Sequence, residues 1–111
     1  EFLNEYNAHM PIIKASTSYV SKSATLGEAT MIFHKSVVNI GSQIGVNCII
    51  NTAAVIEHGS VIGHHTHIGP GAIVLGDAKV GERCFIGAGA VIFQGTNIPD
   101  NSIVPAGTIV K

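Results

Sequence analysis

The apolar positions of this chain recur every six residues. From Val20 to Val110 a branched aliphatic stands at each sixth place: Val20, Leu26, Ile32, Val38, Ile44, Ile50, Ile56, Ile62, Ile68, Val74, Val80, Ile86, Ile92, Ile98, Val104 and Val110. Two residues before each of them stands a small one, from Ser18, Ala24 and Thr30 through Cys48 and Cys84 to Ser102 and Thr108. A period of six fits neither a 3.6-residue helix nor the alternation of a hairpin sheet. It is a repeat, and a repeat decides architecture. Residues two apart share one side of a strand, so the aliphatic and the small residue point inward and the residue between them points outward. The next residues turn a corner, often through a glycine directly after the aliphatic, as at Gly27, Gly45, Gly63, Gly69, Gly81 and Gly87. Three strands and three corners make one coil of 18 residues. Successive coils then stack about 4.8 Å apart.

This hexad resembles the hexapeptide repeat of left-handed parallel β-helices. The resemblance covers residues 18–111 and implies an all-β fold of about five coils. The left hand is implied by the resemblance; the period does not give it. Residues 1–14 do not follow the hexad. They read as a linker or the tail of an absent N-terminal domain, with a short helix before Pro11, and residues 15–111 read as the β-helix domain.

The outward residues sort by face. The first face shows Tyr19, Val37, Val55, Ile73, Val91 and Ile109; the third shows Met31, Ile49, His67, Phe85 and Ile103. The second, with Thr25, Gln43, Val61, Lys79 and Asn97, is mostly polar. Two apolar stripes predict association. A closed ring of three, first face against third, covers both without leaving a free surface. A homotrimer is therefore expected.

The 111 residues suit one domain, and a net charge of −1 without a basic run argues against nucleic acid as a partner. No apolar stretch approaches the ~18 residues of a membrane span, and no signal peptide is visible. A cytoplasmic protein is the expectation. Cys48 and Cys84 are both inward positions, 36 residues apart with Thr66 between them in one column. Their Cα atoms should lie about 9.5 Å apart, too far for a disulfide.

Six histidines are present. His9 falls in the linker and His34 at an early corner. His64 and His65 sit at a turn and His67 on a flat strand, so the three need not converge on a metal, and no metal is expected. His58 stands in the run NTAAVIEHGSVIGHHTHIGPGAIVLGDAKVG, residues 51–81. Asn51, Ala54, Ile56, Glu57, His58, Ile62, Gly63, His67, Ile68 and Pro70 match a motif of the sugar acetyltransferases that act on sialic acid (O-acetylation) or on the nucleotide-linked 4-amino-sugar of bacillosamine synthesis (N-acetylation). The stretch resembles that family.

The resemblance implies acetyl-CoA as co-substrate, His58 as general base, and His67 at the acetyl-CoA site. It implies a backbone N–H of Gly76 as oxyanion donor, cofactor contacts at Ala88 and Ala106, and Asn51 and Glu57 on the substrate side. The spacing agrees independently. Gly76 follows His58 by 18 residues, one coil above, so a base and a backbone donor face one point, as acyl transfer needs. Pro70, Ala88 and Ala106 form a column of small residues along which a pantetheine arm fits. His58 flanks the first face and His67 lies on the third, so the two can reach one site from adjacent chains. One position departs from the motif. The family has Asp or Glu after the catalytic histidine, taken to raise its basicity, and this chain has Gly59. Glu57 or a residue of the neighbouring chain is then the remaining acid.

Two other classes stay open on the same coil. A γ-class carbonic anhydrase-like metalloenzyme needs three histidines around one metal, usually including a His-x4-His pair, and His58 and His64 have five residues between them. A non-catalytic or ice-binding scaffold needs regular Thr-x-Thr ladders on one face, and the sequence has none.

Overall fold

The aliphatic ladder forms a parallel β-solenoid. The computed structural model describes residues 10–111. They form seventeen two-residue strands, from β1 (Ile13–Lys14) to β17 (Ile109–Val110), and no helix. Every strand pairs in parallel with the strand one coil away, so that Ile73 sits between Val55 and Val91, and His67 between Ile49 and Phe85. Three sheets result, of six, six and five strands. Their outward residues are the three faces read from the sequence. Among the described residues no helix is long and apolar enough to cross a membrane.

The ladder begins earlier than the aliphatic series. β1 pairs Ile13 with Met31 and Lys14 with Ile32, although these two residues were assigned to the linker. Lys14 takes a hexad position at the end of the stack, where it is exposed, and an exposed end imposes no demand for an apolar residue. The remainder of the assigned linker up to residue 9, with the expected helix and His9, lies outside the described residues.

From Ala29 onward each corner is closed by one left-handed residue. Every sixth residue from Ala29 to Gly107 has φ between 53° and 72°, and eight of these are not glycine. The conformation costs such residues roughly 1 kcal/mol each. It is held by coil-to-coil hydrogen bonds, such as Gly59 N–H to Ile40 C=O at 3.0 Å and Asp77 N–H to His58 C=O at 2.9 Å. The glycines directly after the aliphatics meet a different need. A Cβ on Gly63 would stand 2.6 Å from the carbonyl carbon of Gly81, so glycine there lets two coils approach.

The inward aliphatics make one continuous core; Ile50, Ile56, Ile68, Val74, Ile86 and Ile92 are fully buried. Their small partners reach corner carbonyls one coil on. Ser60 Oγ donates to Leu75 C=O at 2.9 Å, and Thr66 Oγ1 to Gly81 C=O at 2.7 Å. Among the described residues no buried side-chain N or O lacks a partner. Cys48 and Cys84 are buried and free. Between them Thr66 Oγ1 accepts the Cys84 N–H at 3.1 Å. Burial pushes the Cys48 thiol up, away from the thiolate a nucleophile needs.

Candidate active site

His58 lies in the corner between the strands Val55–Ile56 and Val61–Ile62, where the first face turns into the second. Its side chain is exposed and rises to the coil above. There the imidazole covers the Cα of Gly76: a Cβ on Gly76 would stand 2.5 Å from Nε2 and 2.6 Å from Cε1. The N–H of Gly76 has no acceptor among the described residues, while its carbonyl accepts Gly95 N–H at 3.0 Å. A ring nitrogen that takes a proton and an unclaimed backbone donor therefore share one corner. That is the pair of groups acyl transfer requires.

Neighbouring side chains leave this corner in opposite directions. Glu57 turns to the coil below, where Asn39 Nδ2 donates to its Oε1 at 2.9 Å. Asp77, next to Gly76, turns down over Gly59. A Cβ built on Gly59 would fall on Oδ1 of Asp77 and lie 3.4 Å from its Cγ. Asp77 and Asn39 were not among the residues chosen from the sequence. The signal for Asp77 was present, since it follows Gly59 by one period of 18.

His67, Asn51, Ala88 and Ala106 form a second group, on the third face and the corner after it. Asn51 Nδ2 donates to His67 Nε2 at 3.1 Å. The His67 ring meets the edge of Phe85, with centroids 5.0 Å apart, and burial lowers its pKa from the ordinary 6.5. The corner carries an exposed shelf: Pro70-Gly71, Ala88-Gly89 and Ala106-Gly107 stack in a column. Gly89 N–H donates to Pro70 C=O and Gly107 N–H to Ala88 C=O, each at 2.9 Å. A Cβ at Gly71, Gly89 or Gly107 would meet nothing within 4 Å, and the N–H groups of Ala88 and Ala106 have no acceptor among the described residues. A thin, amide-bearing chain fits such a shelf. The two groups stand at opposite ends of the first face, so one chain does not bring His58 and His67 together.

The other histidines are engaged singly. His34 Nδ1 meets Thr17 Oγ1 at 3.2 Å, His64 Nδ1 accepts Val46 N–H at 2.8 Å, and His65 Nδ1 meets Asn47 Nδ2 at 3.0 Å. Among the described residues no three His, Cys, Asp or Glu side chains converge as metal ligands.

Known proteins resemble this chain in repeat and fold. Residues 59–94 match the bacterial transferase hexapeptide family (six repeats), and residues 78–111 match the hexapeptide repeat of succinyl-transferase. A comparison with curated protein sequences finds no match. PerB of Caulobacter crescentus, solved with CoA and GDP-perosamine, superposes with a TM-score of 0.95 at 34% identity, over 97% of this chain and 52% of PerB. The acetyltransferase domain of PglB from Neisseria gonorrhoeae, solved with acetyl coenzyme A, gives a TM-score of 0.72 at 28% identity, over 95% of this chain and 59% of that one. WeeI of Acinetobacter baumannii, at 20% identity, 99% of this chain, 59% of its own and a TM-score of 0.75, shares the fold. The chain spans about half the length of PerB. It carries the bacterial transferase hexapeptide repeat and resembles, along nearly its whole length, part of the sugar acetyltransferases that PerB represents.

Proposed function

We propose that this chain transfers an acetyl group from acetyl-CoA to a sugar, with an amine of a nucleotide-linked 4-amino-sugar as the preferred acceptor. The observation that carries the reading is the imidazole of His58 lying on Gly76 beside an unclaimed N–H. His58 takes the proton of the acceptor amine as its nitrogen attacks the thioester carbonyl. The Gly76 N–H donates to the oxyanion that forms; collapse breaks the C–S bond and expels the CoA thiolate, which takes the proton held by His58 and leaves as the thiol. A positioned general base contributes about 10²–10⁴ in rate. His67 and the backbone of Ala88 and Ala106 hold the cofactor, and Asn51 orients His67. Support for the amino-sugar comes from PerB, which was crystallised with CoA and GDP-perosamine. O-acetylation of sialic acid is the alternative within the same chemistry. Both co-substrates belong to the cytoplasm.

The site is completed between copies. Ile103, Ile109 and Tyr19 are 76%, 62% and 57% exposed on the third and first faces. A homotrimer covers those stripes and brings the His58 corner of one copy to the His67 side of the next. Ile73→Asp, in the middle of the first face, should dissociate it by placing an unpaired charge in the contact. Light scattering that gives a monomer for the unaltered protein refutes the trimer.

The reaction is tested by thiol release from acetyl-CoA with GDP-perosamine or sialic acid as acceptor. His58→Ala should cut turnover at least ~10²-fold with the fold retained, and His34→Ala should leave it unchanged. Release of thiol with neither acceptor, or a His58→Ala protein of full rate, refutes the reading.

A further inference from the structure

We infer that the corner Ser21-Lys22-Ser23 holds the diphosphate of a nucleotide-linked acceptor sugar, two coils below His58. The inference rests on the reading of His58 as the base of acetyl transfer. Offsets of 18 place Lys22, Ile40 and His58 in one column, on the corner where the first face turns into the second. All three are exposed, Ile40 by 60%. Rungs stand about 4.8 Å apart, so the Lys22 backbone lies about 9.6 Å below that of His58. Of the six Lys and Arg residues, Lys22 alone stands on this corner below the base. It has no ion pair or side-chain hydrogen bond among the described residues. Its two neighbours supply hydroxyls. Ser21 Oγ accepts Ser23 N–H at 3.3 Å, and Ser23 Oγ accepts Gly41 N–H at 3.1 Å. The two oxygens lie 3.1 Å apart. That contact uses one hydroxyl proton and leaves the other to donate. An ammonium and a free hydroxyl donor are what a phosphate oxygen accepts from.

The spacing fits one class of acceptor. Gly76 stands one coil above His58, and Ala88 and Ala106 stand higher still. The cofactor therefore takes the upper coils, and the acceptor approaches the base from the lower ones. In a 4-amino-hexose joined to a nucleoside diphosphate, the nearer phosphorus lies six bonds from the amine and the farther one eight. With bonds of about 1.5 Å that is a span of about 7–10 Å, the height of two rungs. Ile40, midway, offers an apolar side chain to the C–H face of the sugar ring. The acidic groups of the corner do not oppose an anion at Lys22. Glu57 is held by Asn39 Nδ2, which stands between it and Ser21, and Asp77 is three coils above Ser23. Free sialic acid carries no diphosphate, so Lys22 selects the nucleotide-linked sugar.

The test is calorimetry of GDP-perosamine binding, with thiol release from acetyl-CoA measured alongside. Lys22→Met keeps the apolar stem and removes the charge. It should weaken GDP-perosamine binding about tenfold and raise its KM by a similar factor. The kcat, the KM for acetyl-CoA and the thermal midpoint should stay as they are. Lys22→Arg, which keeps the charge, should bind as the unaltered protein does. Added salt should weaken binding more in the unaltered protein than in Lys22→Met. Equal binding by the unaltered protein and Lys22→Met, or binding by neither, overturns the proposal. Tenfold weaker binding in Lys22→Met, with no acetyl transfer by the unaltered protein, upholds the phosphate site and refutes the transfer reading instead.

Discussion

Asn51 fixes the proton of His67. Its Nδ2 donates to Nε2 of the ring at 3.1 Å, and its Oδ1 accepts Thr52 N–H at 2.7 Å. The second contact orients the amide, so Nε2 of His67 is an acceptor and the ring proton sits on Nδ1. His67 is then left with a single donor, its Nδ1–H. Asn51→Ala should leave the coil folded and free the ring. One hydrogen bond of about 0.5–1.5 kcal/mol is lost, so acetyl-CoA should bind about threefold to tenfold more weakly by calorimetry. Unchanged affinity would separate His67 from the cofactor.

The same histidine makes stability depend on pH. Burial lowers the His67 pKa below the ordinary 6.5. As pH falls through 6.5 the unfolded chain takes up this proton before the folded one does, and the folded state loses ground. The loss is complete once pH passes below the folded pKa; above 6.5 it is absent. The urea midpoint should therefore fall between pH 7.5 and pH 5 by more in the native protein than in His67→Gln, which carries no titrating ring. Equal falls in the two would show that other groups set the acid sensitivity.

Much of this architecture was legible because the period fixes two things at once. It says which residues point inward, and it says which residues stack, at offsets of 18. The sorting of Tyr19, Thr25 and Met31 onto three faces, the stacking of Gly76 on His58, and the separation of Cys48 from Cys84 all follow from it. What the period leaves open is the direction a corner side chain takes along the stack. Glu57 and His58 are adjacent, yet one goes down to Asn39 and the other up to Gly76. The choice depends on which neighbouring rung offers a donor or an open Cα. The pairings Asn39–Glu57, Asn51–His67 and Asp77–Gly59 were missed for this reason. β1 was missed because Lys14 carries no apolar signal.

The small-residue shelf makes a steric prediction. Ala106 is exposed, and the neighbouring Gly107 has open space around it, so a large side chain at 106 projects into solvent without disturbing the core. Ala106→Trp should abolish acetyl-CoA binding by calorimetry and leave the thermal midpoint unchanged. Retained binding would route the pantetheine arm elsewhere.

Gly76 and Gly63 allow the catalytic corner to be disturbed apart from the fold. At neither position does φ fall in the left-handed region, so alanine is acceptable to both backbones. The obstacles differ. At Gly63 a methyl group meets the backbone of Gly81 at 2.6 Å and of Glu82 at 2.7 Å. Two coils would have to separate, and Gly63→Ala should destabilise the protein by about 1–3 kcal/mol, as overpacking does. At Gly76 the three atoms nearest the methyl all belong to the His58 ring, which is exposed and can rotate into solvent. Gly76→Ala should therefore keep the thermal midpoint but displace the base, lowering kcat by about 10²-fold or more. The KM for acetyl-CoA should hardly move, because His67, Ala88 and Ala106 are untouched. Gly63→Ala should show the reverse: a lower midpoint, and near-normal kcat per folded molecule at low temperature. A Gly76→Ala protein with full turnover would mean that the contact between His58 and Gly76 has no part in the reaction.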